Sequence, residues 1–350
     1  MATGGRLRDD DRTDGRRRYR TVEEGDGRPV GGAVKRALIT GISGFAGSHL
    51  AEHLLAHGWQ VHGFVRNVTK DRNIAGISEK LTLHTVDLGE RVSLVSLIES
   101  IEPTGVFHLA ARSFIPEVRA HPATAVDVNI RGSLLLFEAC RMLPRNLRPR
   151  IIFVSSAEVY GDYGAGPIDE RVSAEPVTLY GVTKRSVEML AATYGRRGDL
   201  DIVTLRPFNH TGPRQSPRFV CSDFARQIAV IEKKGAPGKL RVGNLSARRD
   251  FSDVRDIVAA YRLAFEQGSG GEIYNVCSGR GVTIEEILDT LRALSTATID
   301  VEIDAARLRP IDTPEIVGDC HRFTERTGWR PVIPLQRTLH DLLDYWRGVV

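Results

Sequence analysis

Tyr180 and Lys184 lie in the run Tyr180-Gly181-Val182-Thr183-Lys184. On a helix that spacing puts the phenol and the ammonium on one face, about one turn apart. A nearby ammonium stabilises a phenolate, which predicts a lowered tyrosine pKa. Such a tyrosine exchanges a proton with a carbinol or carbonyl oxygen near neutral pH. Ser156 follows the apolar run Arg150-Ile151-Ile152-Phe153-Val154, and its hydroxyl can hydrogen-bond the same oxygen.

These groups need a scaffold, and it begins at Ala37-Leu38-Ile39-Thr40. That short apolar run reads as a buried strand. Gly41, Gly44 and Gly47 follow, and an apolar-periodic helix continues to about His57, with Gly58 as its stop. A tight strand-to-helix turn of this kind lets the backbone approach a pyrophosphate and aims a helix N-terminus at it. Gly41, Ser43, Gly44, Phe45, Ala46 and Gly47 are therefore cofactor candidates. A second strand, Gln60 to Val65, ends in Arg66-Asn67, where the adenosine ribose is read. No acid stands there to accept from a 2′-hydroxyl. Arg66 suits a 2′-phosphate, so NADP(H) is expected rather than NAD.

A third strand, Leu81 to Val86, ends at Asp87-Leu88, and the acid can accept from the adenine amino group. The fourth, Gly105 to Ala111, runs into small residues, so Leu109, Ala110 and Ala111 let the backbone pass close to the cofactor. Ser113 follows where a substrate could meet the site. A long helix carries Asn129 and Gly132, and Arg150 to Val154 is the fifth strand. This alternation predicts a doubly wound parallel sheet with ligands outside the carboxyl ends of its strands. His49, His53 and His57 recur with helical period. They could hold a metal, but Glu52 is the one neighbouring carboxylate, so no metal is expected and the face reads as solvated.

The net charge of +4 comes from 48 basic and 44 acidic residues, a near balance that does not indicate nucleic acid. The four cysteines, Cys140, Cys221, Cys277 and Cys320, are scattered, as in a reduced cytoplasmic protein. No apolar run approaches the roughly 20 residues of a membrane span, and no cleavable signal is visible. Met1 to about Lys35 is rich in Arg, Asp and Gly, with Arg16-Arg17-Arg18 as a basic cluster. It reads as disordered, because it cannot bury enough surface to offset its ordering entropy.

Glycine turn, strand-end serine and Tyr-Lys pair, in this order, make the chain resemble an extended short-chain dehydrogenase/reductase acting on nucleotide sugars, over about residues 35–345. Its GxxGxxG turn is the form that family uses. The resemblance implies an α/β fold, a Rossmann-type doubly wound parallel sheet with a smaller C-terminal α/β substrate-binding domain. The expected divisions are a tail at 1–35, an NADP-binding domain at 36–205, and a mainly nucleotide-sugar-binding domain at 206–350 with segments returning to the sheet. In that family Ser156, Tyr180 and Lys184 would flank a hexose C4 whose hydride goes to or comes from the nicotinamide. Asn129 would place the lysine through water. The segment Leu205 to Pro217 resembles the part that meets cofactor and sugar, including Asn209 and Arg214. Arg248-Arg249-Asp250-Phe251 resembles a diphosphate clamp with Arg249 as ligand, and Arg309 with Glu315 fits the nucleotide-ribose edge. Thr327 to Pro331 resembles the terminal signature.

Several segments, above all Arg218 to Ile228, resemble the GDP-sugar branch, with its GDP-mannose 4,6-dehydratases and 4-keto reductases. A 4,6-dehydratase needs a base and usually an acid beside the serine. Glu158 stands where the base belongs, but Ala157 stands where an Asp or Ser would be and cannot donate a proton. The expectation is NADPH-dependent reduction of a GDP-4-keto-6-deoxyhexose to a GDP-6-deoxyhexose such as GDP-rhamnose. A dehydratase using Glu158 is the alternative, followed by a 4-epimerase and a non-catalytic dinucleotide sensor. The resemblance also implies a homodimer or dimer of dimers through helices at roughly 125–141 and 180–194.

Overall fold

Short apolar runs alternate with amphipathic helices, and each run becomes a strand of one parallel sheet. In chain order these are β1 (Arg36–Thr40), β2 (Gln60–Val65), β3 (Leu81–Thr85), β4 (Gly105–His108), β5 (Arg150–Val154) and β6 (Asp201–Pro207). A seventh strand, Ile273–Val276, joins later. The spatial order is Ile273–Val276, β6, β5, β4, β1, β2, β3. β1, β4, β5 and β6 are almost wholly buried, as parallel strands covered on both faces must be. The order reverses between β1 and β4, which opens a crevice at their carboxyl ends. Thr40 pairs with both Phe64 and His108, so three strand ends lie level there.

The computed structural model describes residues 34–66, 72–164, 166–308 and 313–350. The tail, Asn67 and Arg309 lie outside the described residues. β4 stops at His108 rather than Ala111, because Gly41 turns β1 away and leaves Leu109 as the last residue bonded to the β1 backbone. β3 likewise stops one residue short of Val86.

Helices cover both faces. Phe45–Ala56, Val254–Gln267 and His321–Thr327 pack around Leu50, Leu54, Phe107, Tyr261 and Phe323. Arg91–Ile101, Gly132–Met142 and Leu179–Arg196 pack around Leu94, Phe137, Phe153 and Val187. A further core joins helices Val220–Lys234, Ile284–Ala293 and Leu335–Val349 to the paired strands Gly238–Val242 and Ile299–Ile303. Between the two regions lies a small sheet built on Arg248–Asp253, flanked by Asn209–Thr211, Gly281–Thr283 and Glu315–Ile316. The Thr327–Pro331 segment docks through the Trp329 indole, which donates to the Asp256 carbonyl at 3.0 Å. No described helix is long and apolar enough to cross a membrane.

Candidate active site

Gly41 adopts φ +74°, a conformation that side chains disfavour, and a Cβ there would lie 3.0 Å from the Ala110 backbone. A Cβ on Gly47 would lie 2.1 Å from the Gly41 carbonyl oxygen. The absence of both side chains lets helix Phe45–Ala56 start directly over the turn. No side chain caps that helix start and no acid sits in its first turn. Its leading N–H groups are left for an anion. A cleft of about 1840 Å³ opens there, lined by Gly41, Ser43, Gly44, Phe45, Ala46 and Gly47. Arg66, Asp87, Leu88, Leu109, Ala110 and Ala111 continue the wall, and Tyr180 and Lys184 reach it at the far end. The cradle, the exposed guanidinium after β2 and the lack of an acid beside it fit a 2′-phosphorylated dinucleotide.

The structure brings Ser156, Glu158, Tyr180 and Lys184 together in this cleft. Ser156, two residues beyond β5, caps the short turn Ala157–Val159, accepting from the Glu158 amide at 3.2 Å. The helix bearing Tyr180 and Lys184 starts at the Thr178 cap, which accepts from the Gly181 amide at 3.0 Å. The Thr178 hydroxyl in turn donates to Glu158 at 3.3 Å. A Cβ on Gly181 would fall 2.4 Å from the Glu158 carbonyl oxygen, so glycine lets this helix press on the serine turn.

One electrostatic expectation is corrected. The Tyr180 phenol is raised, not lowered: burial dominates, the Glu158 carboxylate adds to it, and the Ser156 hydroxyl opposes it. The Lys184 ammonium does not reach the phenol. It donates to the Val154 carbonyl at 2.6 Å and lies 6.0 Å from the centre of the tyrosine ring. Burial also lowers Lys184 to about 7, against the pull of Glu188.

A buried network beneath the pair escaped the sequence reading. Glu188 takes a two-pronged ion pair from Arg206 at 2.8 and 2.7 Å and a hydrogen bond from Ser155 at 2.7 Å. The Arg206 guanidinium lies 4.7 Å over Tyr160, whose hydroxyl donates to Asn275 at 2.7 Å. The available signal was an arginine inside the apolar run of β6, which has to find a partner. On the other side Asn129 accepts from the Arg112 amide at 2.7 Å and donates to Thr183 at 3.0 Å, within a wide turn of its helix. His108 bonds Thr40 at 2.7 Å and Ser133 at 2.8 Å. Burial and the nearby Lys184 charge push His108 down to about 3, so it stays neutral.

Ser113, Asn209 and Arg249 line the cleft, and Arg249 donates to the Arg248 carbonyl at 2.7 Å. Arg218, Phe219 and Asp223 form the opposite wall, where Arg218 pairs with Glu117 at 2.6 Å. Arg214 is a correction. It points away from the cleft and grips Glu52 of helix Phe45–Ala56 at 2.8 and 2.6 Å. Glu315 is not among the cleft-lining residues either; it pairs with Arg248 at 3.5 Å, while Thr313 and Ile316 line the wall. The histidine face is also not solvated throughout. His49 is 8% exposed, donates to the Pro213 carbonyl at 2.9 Å, and is lowered to about 4 by burial and then by the Arg214 charge.

A family model described as GDP-mannose 4,6 dehydratase matches residues 38–342. The GDP-6-deoxy-D-mannose reductase of Pseudomonas aeruginosa is 32% identical over 321 residues, covering 91% of this chain and 99% of that protein. GDP-mannose 4,6 dehydratase 2 of Arabidopsis thaliana is 32% identical over 324 residues, covering 89% and 86%. Among solved structures, RMD from Pseudomonas aeruginosa complexed with NADPH has a TM-score of 0.77 and 31% identity, covering 91% of this chain and 99% of that one.

Proposed function

The chain belongs to the GDP-mannose 4,6-dehydratase family of nucleotide-sugar enzymes, and on that premise we propose that it reduces the 4-keto group of a GDP-4-keto-6-deoxyhexose with NADPH. The cofactor supplies the hydride. Residues 36–205 hold it on the glycine turn and beside Arg66, and residues 206–350 mainly hold the nucleotide sugar. Tyr180 gives its proton to the carbonyl oxygen as that oxygen gains negative charge, and Ser156 hydrogen-bonds the same atom. A tyrosine kept protonated by burial suits this direction, since a ketone reduction consumes a proton. Glu188 supports the Lys184 charge beside it. Arg249 faces the diphosphate, and the 218–228 segment borders the base.

The observation that carries the reductase reading is Ala157. Its methyl group is buried against an apolar set that includes Val159, Tyr160 and Phe208, where expulsion of a C6 hydroxyl would call for a proton donor. Glu158 keeps the dehydratase as the second reading, because it lines the cleft beside Tyr180. Pairing of two copies through the stretches 125–141 and 180–194 completes the proposal. The free cysteines support a reducing, cytoplasmic setting.

The test supplies GDP-4-keto-6-deoxymannose with NADPH, and separately GDP-mannose alone. The expected outcome is loss of NADPH absorbance with the keto sugar and no loss of water from GDP-mannose. Tyr180→Phe should cut that rate by about 10²–10⁴. Water loss from GDP-mannose without net NADPH use would replace the reductase by the dehydratase, and turnover of neither substrate would overturn the GDP assignment.

A further inference from the structure

Tyr261 lies in helix Val254–Gln267, is fully buried, and still borders the cleft. Its hydroxyl has no hydrogen-bond partner among the described residues. Buried hydroxyls almost always have one, so an orphan of this kind calls for a reason. Its direction comes from the helix. Phe265, four residues on, packs on Gly105 at the amino end of β4, where a Cβ would lie 2.6 Å from the ring. The helix N-terminus therefore points to the carboxyl ends of the strands. Helical side chains lean toward the N-terminus, so the Tyr261 ring leans toward the cleft. Tyr180 and Tyr261 line the same cleft.

We propose that the unpartnered Tyr261 hydroxyl is a positioning group that hydrogen-bonds the nicotinamide end of the bound dinucleotide. This rests on the cofactor reading above. The ligand-free protein carries an unsatisfied polar atom, and the bound cofactor satisfies it. Removing the hydroxyl has opposite effects on the two states: it relieves the free protein and weakens the complex.

Tyr261→Phe tests this by binding and melting, without turnover. NADPH and 2′-phospho-ADP-ribose, which lacks the nicotinamide, are titrated into wild type and variant. The expected result is a Kd for NADPH raised by about 10-fold, as for one lost hydrogen bond. The Kd for 2′-phospho-ADP-ribose should not move, and the free variant should melt no lower than wild type. An unchanged NADPH Kd overturns the inference. Equal weakening of both ligands, or a free variant that melts lower, also overturns it, since each marks a structural hydroxyl. Failure of wild type to bind NADPH would instead remove the cofactor reading itself.

Discussion

Tyr180 and Lys184 illustrate how burial competes with charge. Their spacing places them on one helix face, yet desolvation outweighs the expected phenolate stabilisation because the ammonium is turned to Val154. The same competition at His49 has a consequence for stability. The folded imidazole is held down at about 4, while in the unfolded chain it titrates near the ordinary 6.5. Between those values the unfolded state binds more protons. The contribution of His49 is therefore present above about pH 6.5 and is lost as pH falls through that window. Urea unfolding at pH 7, 6 and 5 should show stability falling with pH. His49→Gln keeps a donor for the Pro213 carbonyl and should flatten the slope, by up to about 1.4 kcal/mol per pH unit. Parallel slopes for the two proteins would show that His49 is not held neutral.

At the scale of elements, two helix starts depend on missing side chains. Gly47 lets helix Phe45–Ala56 ride over the Gly41 carbonyl, and Gly181 lets helix Leu179–Arg196 rest on Glu158. Gly47→Ala puts a methyl group where backbone lies 2.1 Å away, and neither element can yield cheaply. Thermal melting should register a loss of about 1–3 kcal/mol. A fluorescence titration should show NADPH binding at least ~10-fold weaker, because the helix N-terminus moves off the pyrophosphate position. Unaltered NADPH affinity would mean that the turn does not hold the cofactor. Arg214 acts at this scale too: it ties the 209–217 segment to the back of helix Phe45–Ala56 through Glu52.

Over the whole described molecule, one cleft collects side chains from the central sheet and from the second core. Each wall has its own hydrophobic support, so the two sides of the cleft are built by separately packed regions. On the outer face, helix Leu179–Arg196 exposes Val182 and Met189, at 42% and 59%, and Val126 of the neighbouring stretch is 40% exposed. These exposed apolar residues lie on the two stretches proposed for pairing. Sedimentation velocity at micromolar concentration should therefore find a dimer or larger. A monomer would end that part of the proposal.

The strands of the central sheet, the glycine turn and the spacing of Ser156, Tyr180 and Lys184 were legible in the sequence because they are local. Strand and helix periods depend on neighbours a few residues away, and Gly41, Gly44 and Gly47 mark a turn through backbone sterics alone. β2 and β5 match their expected limits for that reason. Long-range partners were not legible. Arg214 and Arg249 look alike in the sequence, yet one meets Glu52, 162 positions earlier, while the other lines the cleft. Arg206 and Glu188 became a buried pair, and the Tyr261 hydroxyl was left without a hydrogen-bond partner among the described residues, only when strands and helices from distant parts of the chain packed together. Charge and hydroxyl chemistry depend on burial and on which groups lie within a few ångströms. Only the tertiary structure sets those two quantities.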